Sequence, residues 1–309
     1  MERWSETLPR FQAALARAGT PVEELALLVG DLLQPGLDLA PYGRQLDLLA
    51  AQVARRLAPG RRGRPVAEAL VTTLYTDLGY RGNQGHYYDP LNSFLHRVLE
   101  RRTGLPITLG IVYLAVGRRL GLELVAMGLP GHFMVGYPAA DGLWLLDAFH
   151  GQVLAEEDVG AYLGKLFGQA VALHRPLAAY RLSPRETVLR VLNNLRAIYL
   201  AHRDFPRIWA ILHYLVAVAP ARTEFLRERG LVAYHMGRLV DAQRDLVRYF
   251  IRQGRSPLLW ARNGTDAVSG ARTLPGRPFQ GAGALEPDED ESALLGVLDE
   301  IHRSLAQQN

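Results

Sequence analysis

Cysteine is absent from all 309 residues. That excludes disulfides, thiolate metal sites and a sulfur nucleophile, and it suits a reducing compartment. Lysine is nearly absent as well, Lys165 being its single occurrence. The net charge of +4 therefore rests on arginines, which are scattered, with short pairs such as Arg61-Arg62, Arg101-Arg102 and Arg118-Arg119. A nucleic-acid surface gathers its basic residues on one face or interleaves them with aromatics, so nucleic acid is not supported as a partner. No apolar run reaches the length of a membrane span. The opening MERWSETLPR carries acids and no apolar core of a signal peptide. A cytoplasmic protein without a membrane partner is the expectation. There is no P-loop, GxSxG elbow, HExxH or Rossmann GxGxxG after a strand. The nine histidines stand at no metal-ligand spacing, so neither metal nor cofactor is expected.

What is present is ample core material: 49% hydrophobic and 21% charged residues. The first hundred residues read as helices. PVEELALLVGDLL and GRQLDLLAAQVARRL place apolar residues at helical spacing, and VAEALVTTLYTDLG ends on a glycine. Asp89 caps and Pro90 starts a further helix that Gly104 closes. LPITLGIVYLAVGRRLG follows, a helix with Pro106 near its first position. From Leu122 the pattern changes: LELVAM, HFMVGY and LWLLDAF are short aliphatic and aromatic runs bounded by glycine and proline, which read as strands. The fold class expected is α+β, a central helix with a small antiparallel sheet.

From Ser183 the chain is helical again. Superposing Tyr199 on Ala233 and Ile208 on Ala242 sets two helical hairpins about 34 residues apart, the tetratricopeptide period. Two such units bury little apolar surface alone, so this module is expected to pack against the preceding domain. Residues 256–290 are rich in glycine, proline and small polar residues and read as a flexible linker. The last segment, 291–309, forms an amphipathic helix whose Leu294, Leu298, Ile301 and Leu305 stripe is expected to dock on its own chain. The organisation expected is a helical and α+β domain over 1–180, repeats over 183–255, the linker and the terminal helix.

The stretch LPGHFMVGYPAADGLWLLDAF sets one histidine and one aspartate into two apolar runs joined by a turn. With the turn centred on Ala139-Ala140, His132 falls opposite Asp147, or within one residue of it, on neighbouring antiparallel strands. Facing Cβ atoms lie about 5 Å apart, which suits a carboxylate orienting an imidazole. Such a pair is half of a nucleophile–base–orienter triad.

This order of elements resembles the core of the transglutaminase-like, papain-type superfamily. The resemblance implies a cysteine at the start of the central helix, and counting back from RRLGL places that position on Pro106. Proline has no nucleophilic atom but suits a helix first turn. With the flanks GNQGHYYDPLNSFLHRVLERRTG and NNLRAIYLAHRDF included, the chain resembles SirB-type bacterial proteins, in which a transglutaminase-like domain precedes tetratricopeptide-like repeats. The family's name implies regulation. Ala148 departs from the proline expected after the aspartate.

Thr108, one turn into the same helix, is the one hydroxyl placed to replace the thiol, although a threonine there ordinarily bonds to backbone. Tyr87, Tyr88, Asn92, Ser93 and Pro106 are expected to line the cleft. The leading expectation is a non-catalytic protein that binds a peptide or protein partner through a degenerate cleft and helical repeats. The alternative is a cysteine-independent hydrolase in which His132, oriented by Asp147, activates water. The sequence leaves the oligomeric state open.

Overall fold

Prolines stand in the first turns of five helices, where the missing N–H costs nothing and the fixed φ suits the helix. They are Pro41, Pro65, Pro106, Pro184 and Pro206. The computed structural model describes residues 4–58, 60, 62–255 and 289–307. Its contacts form two compact units, Met1–Ala219 and Pro220–Asn309.

The first unit opens with α1 (Trp4–Ala16), α2 (Val22–Leu28), α3 (Ala40–Arg56) and α4 (Arg64–Val71), the last continuing through a wider π-type turn over Thr72–Asp77. A parallel pair, β1 (Arg81–Gly82) and β2 (Thr103–Gly104), brackets α5 (Leu95–Arg101). The single helix expected after Asp89 is two pieces. Asp89 Oδ1 accepts from Leu91 N at 3.0 Å and caps a short 3-10 turn, Pro90–Ser93. Phe94 then breaks the path with an extended backbone before α5 begins.

Next comes α6 (Pro106–Arg119), buried from Pro106 through Gly117. It packs on a five-stranded antiparallel sheet made from β3 (Val125–Met127), β4 (Met134–Ala139), β5 (Gly142–Asp147), β6 (Gln152–Ala155) and β7 (Arg181–Leu182), in the order β6-β5-β4-β3-β7. Gly110 lets the sheet approach α6: a Cβ there would stand 2.3 Å from the Phe133 ring. Alternation along the strands sends Ala126, Val135 and Leu146 into the α6 core. Met127, Met134 and Leu145 go to the other face, covered by α7 (Val159–Phe167) through Val159 and Leu163.

The first repeat hairpin, α8 (Pro184–Ala201) and α9 (Phe205–Val218), belongs to this same unit, with α2 against α8 and α1 against α9. Ser183 and Glu186 form the capping box at its start. The second unit holds α10 (Glu224–His235), α11 (Leu239–Arg252) and α12 (Glu289–Ala306). The unit boundary thus falls between the two hairpins, whereas the sequence grouped them over 183–255. Leu294, Leu298 and Ile301 are buried, with α12 packed on α11. Residues 256–288, most of the expected linker, lie outside the described residues. Among the described residues no helix is long and apolar enough to cross a membrane.

Candidate functional site

Asp147 is the last residue of β5, and the chain turns back on itself immediately afterwards. Gly151 takes φ 68°, which a side chain would resist, and its N–H bonds to Asp147 O at 2.8 Å. The turn aims two backbone N–H groups at the carboxylate: Phe149 N and His150 N donate to Asp147 Oδ1 at 2.8 and 3.1 Å. The other oxygen, Oδ2, lies 2.8 Å from His132 Nε2, 2.9 Å from His150 Nδ1 and 2.6 Å from the Tyr162 hydroxyl. Asp147 is fully buried, His132 almost so, and the His150 side chain is 25% exposed.

His132 reaches this position differently from the expected register. The ladder pairs Val135 with Leu146 and Gly136 with Leu145, so the direct partner of Asp147 would be Met134. The tight turn is Ala140-Asp141, because Pro138 and Ala139 still pair with Leu143 and Gly142. His132 therefore lies just before β4, in a turn closed by its own N–H on Leu129 O at 3.2 Å. The offset is two residues. An even offset preserves the face of the sheet, and the diagonal neighbour is still within reach of a long side chain. The pair forms although the register differs.

Burial alone would raise the Asp147 carboxyl. Hydrogen bonds from His132 and His150, the attraction of the His132 ring and the Tyr162 hydroxyl outweigh it, holding the group far below the usual carboxylate range. Desolvation, together with the hydrogen bond to the ionised Asp147 and its charge, pushes the half-buried Tyr162 phenol well above its ordinary range. Because Nε2 of His132 faces the carboxylate, Nδ1 is the nitrogen left to act on anything else.

The other residues singled out by sequence divide. Thr108 is buried, donating to Asn92 O at 2.7 Å while its oxygen accepts from Leu105 N at 3.0 Å. Its hydroxyl is a backbone bonder. Pro106 is buried at the first turn of α6. Asn92 and Ser93 were expected at the cleft surface, but both point inward. Asn92 holds the preceding loop together: its Nδ2 donates to His86 O and Tyr87 O at 2.8 and 3.2 Å, and its Oδ1 accepts from Asn83 at 3.1 Å.

That loop presents Tyr87 and Tyr88 outward, 42% and 74% exposed. They line a pocket of about 190 Å³ with Leu105 and residues of α8, among them Asn194, Ile198 and the adjoining His202. An aromatic series connects the pocket wall to the polar cluster: Tyr87 lies 6.0 Å from Phe149, and Phe149 lies 4.8 Å from His150.

His150 and Tyr162 are the residues the sequence reading missed. His150 sits three positions after Asp147, within the turn that follows β5. Its signal was the DAFHG turn itself. Tyr162 belongs to α7, a helix the sequence reading left unassigned.

Comparison with known proteins fits this geometry. Residues 40–193 match the model of the transglutaminase-like superfamily, and residues 195–263 match a tetratricopeptide repeat model. A UPF0162 protein of Pseudomonas aeruginosa is 31% identical over 189 residues, which are 60% of this chain and 68% of that protein. The chain belongs to the UPF0162 family. Another UPF0162 protein, from Xylella fastidiosa, is 37% identical over 179 residues, 57% of this chain. The match spans 64% of that relative's length. Human F-box only protein 21 is 28% identical over 185 residues, but these are only 28% of its own length.

Proposed function

We propose that this UPF0162 protein binds an extended segment of a peptide or protein partner in the cleft of its transglutaminase-like domain, without thiol chemistry. One observation carries the reading: exposed Tyr87 and Tyr88 share a pocket with α8, the first repeat helix. The cleft wall and the repeat thus present one concave surface. An exposed tyrosine pair supplies large contact area at small cost in side-chain entropy, the composition favoured at binding hot spots. Pro106 at the expected nucleophile position and the absence of cysteine from the chain both support binding over covalent catalysis.

A random peptide display library selected against the full chain tests this. Enrichment of related peptides is expected, with Tyr88→Ala weakening them about tenfold, the scale of one modest hot spot. Peptides that bind Tyr88→Ala as well as the parent would overturn it.

A second reading has its own observation. Asp147 is held ionised beneath His132, whose Nδ1 remains for work on water, as general base catalysis requires. Slow hydrolysis of a cleft-bound amide, lost in His132→Ala, is its signature.

A further inference from the structure

We propose that His132, Asp147 and His150 form a binding site for one divalent transition-metal ion, with zinc the leading candidate. The inference stands apart from the peptide-binding reading and does not rest on it. The potential ligand atoms of these three residues all lie within 4.8 Å of one another. Three different pieces of backbone bring them together: the turn before β4, the end of β5, and the turn after β5.

The hydrogen-bond count around Asp147 gives an independent reason. A carboxylate offers about four lone-pair sites. Here five donors converge on it: two backbone N–H groups on Oδ1, and two imidazole nitrogens with a phenol on Oδ2. Oδ2 thus receives more donors than it has lone pairs. A cation between the two rings and Oδ2 would replace two of those N–H contacts with coordinate bonds and relieve the excess.

The chemistry of the exchange is simple. Each neutral imidazole moves its proton to its other nitrogen, His132 from Nε2 to Nδ1 and His150 from Nδ1 to Nε2. The freed lone pairs then bind the ion, with no net proton released and no oxidant or reductant required. Two imidazoles and one carboxylate are a borderline-soft set that suits zinc and its neighbours better than calcium or magnesium.

The fit needs a small adjustment. Donors about 2.0–2.1 Å from a tetrahedral ion stand about 3.3 Å apart. The imidazoles lie 2.8 and 2.9 Å from Oδ2, while the three ligand atoms as a set spread up to 4.8 Å, so the rings have to draw together as they back away from Oδ2. His150, the most exposed of the three and held on a turn, has room to move outward. Its exposed edge also gives the ion a route in. With three protein ligands, a fourth position stays available to water or to the Tyr162 oxygen, which lies 3.3 Å from His150 Nδ1.

The test uses the full chain, stripped with chelator and titrated with zinc(II) alone by calorimetry and with cobalt(II) alone by visible absorption. One equivalent should bind, and cobalt should give the absorption of a low-symmetry nitrogen–oxygen site. His150→Gln and His132→Gln should each lower zinc affinity by 100-fold or more and abolish the cobalt band, whereas His174→Ala, at an exposed position, should change neither. Zinc should raise the melting temperature of the parent chain but not of His150→Gln, whose own melt reports that it is folded. Absence of stoichiometric uptake would overturn the proposal. So would equal uptake by the His132 and His150 variants, which would assign the ion to surface histidines. Peptide binding is read separately, so either result can fail without the other.

Discussion

His96 shows how much a single buried ring can ask of its surroundings. It is fully buried, packs against Tyr42 and Phe94, and has no hydrogen-bond partner on either ring nitrogen. Gly30 stands so close that a Cβ there would come within 2.7 Å of its Nδ1. Desolvation lowers its pKa from 6.5 to about 4. The unfolded chain therefore takes up a proton as pH falls through 6.5, before the folded chain does. This contribution to stability is present above pH 6.5, is lost between 6.5 and about 4, and is flat below. The loss is on the order of 3 kcal/mol, at about 1.4 kcal/mol for each pH unit. Denaturant titrations across this range should show the difference between the parent and His96→Leu shrinking or reversing by that amount in acid. A difference independent of pH would contradict the assignment. At the polar cluster, Tyr162→Phe removes the donor in excess of the lone pairs on Asp147, so it should cost less than about 1 kcal/mol in the same titrations. His132 and Asp147 were legible in sequence because they are the polar breaks in two apolar runs. His150 was not, because a turn carries no periodicity to reveal which way a side chain points.

The hairpin explains both the success and the error in reading elements. Apolar alternation identified β4 and β5, while the turn was misplaced because Pro138-Ala139 resembles loop composition yet pairs within the ladder. Face parity survived the two-residue offset, so the site did too. The α6–sheet contact offers a test of that placement. Gly110→Ala would drive a methyl into the Phe133 ring, next to His132, and should destabilise by about 1–3 kcal/mol. In the second unit, Arg229 on α10 and Asp245 on α11 form a buried two-pronged ion pair with bonds of 2.5 and 2.9 Å. Arg229→Met strips the buried carboxylate of its two-pronged partner and leaves it only the longer 3.4 Å contact from Arg244, at a cost of about 3 kcal/mol. Adding Asp245→Leu should recover most of that loss, and thermal melts of the two variants decide it. Elements α7, β6 and β7 went unread: each is short, and β7 gains its place only by pairing with β3 from far along the chain.

At the scale of the molecule, the α+β core followed by helical hairpins was readable because three separated motifs agree in order. The division of the repeats between two compact units was not, since repeat periodicity records similarity and says nothing of what each hairpin packs against. In the binding reading proposed above, the first hairpin serves the cleft through α8, whose residues share a pocket with Tyr87 and Tyr88. The second hairpin and α12 bury their own apolar stripe. The central claim is that this cleft holds a peptide and leaves it chemically unchanged. Mass spectrometry of a display-selected peptide, incubated with the full chain and an added primary amine, measures that claim most directly. The account predicts quantitative recovery of the intact peptide alongside saturable binding that Tyr88→Ala weakens about tenfold. Recovery of a cleaved or amine-modified peptide, in a form that disappears with His132→Ala, would contradict it.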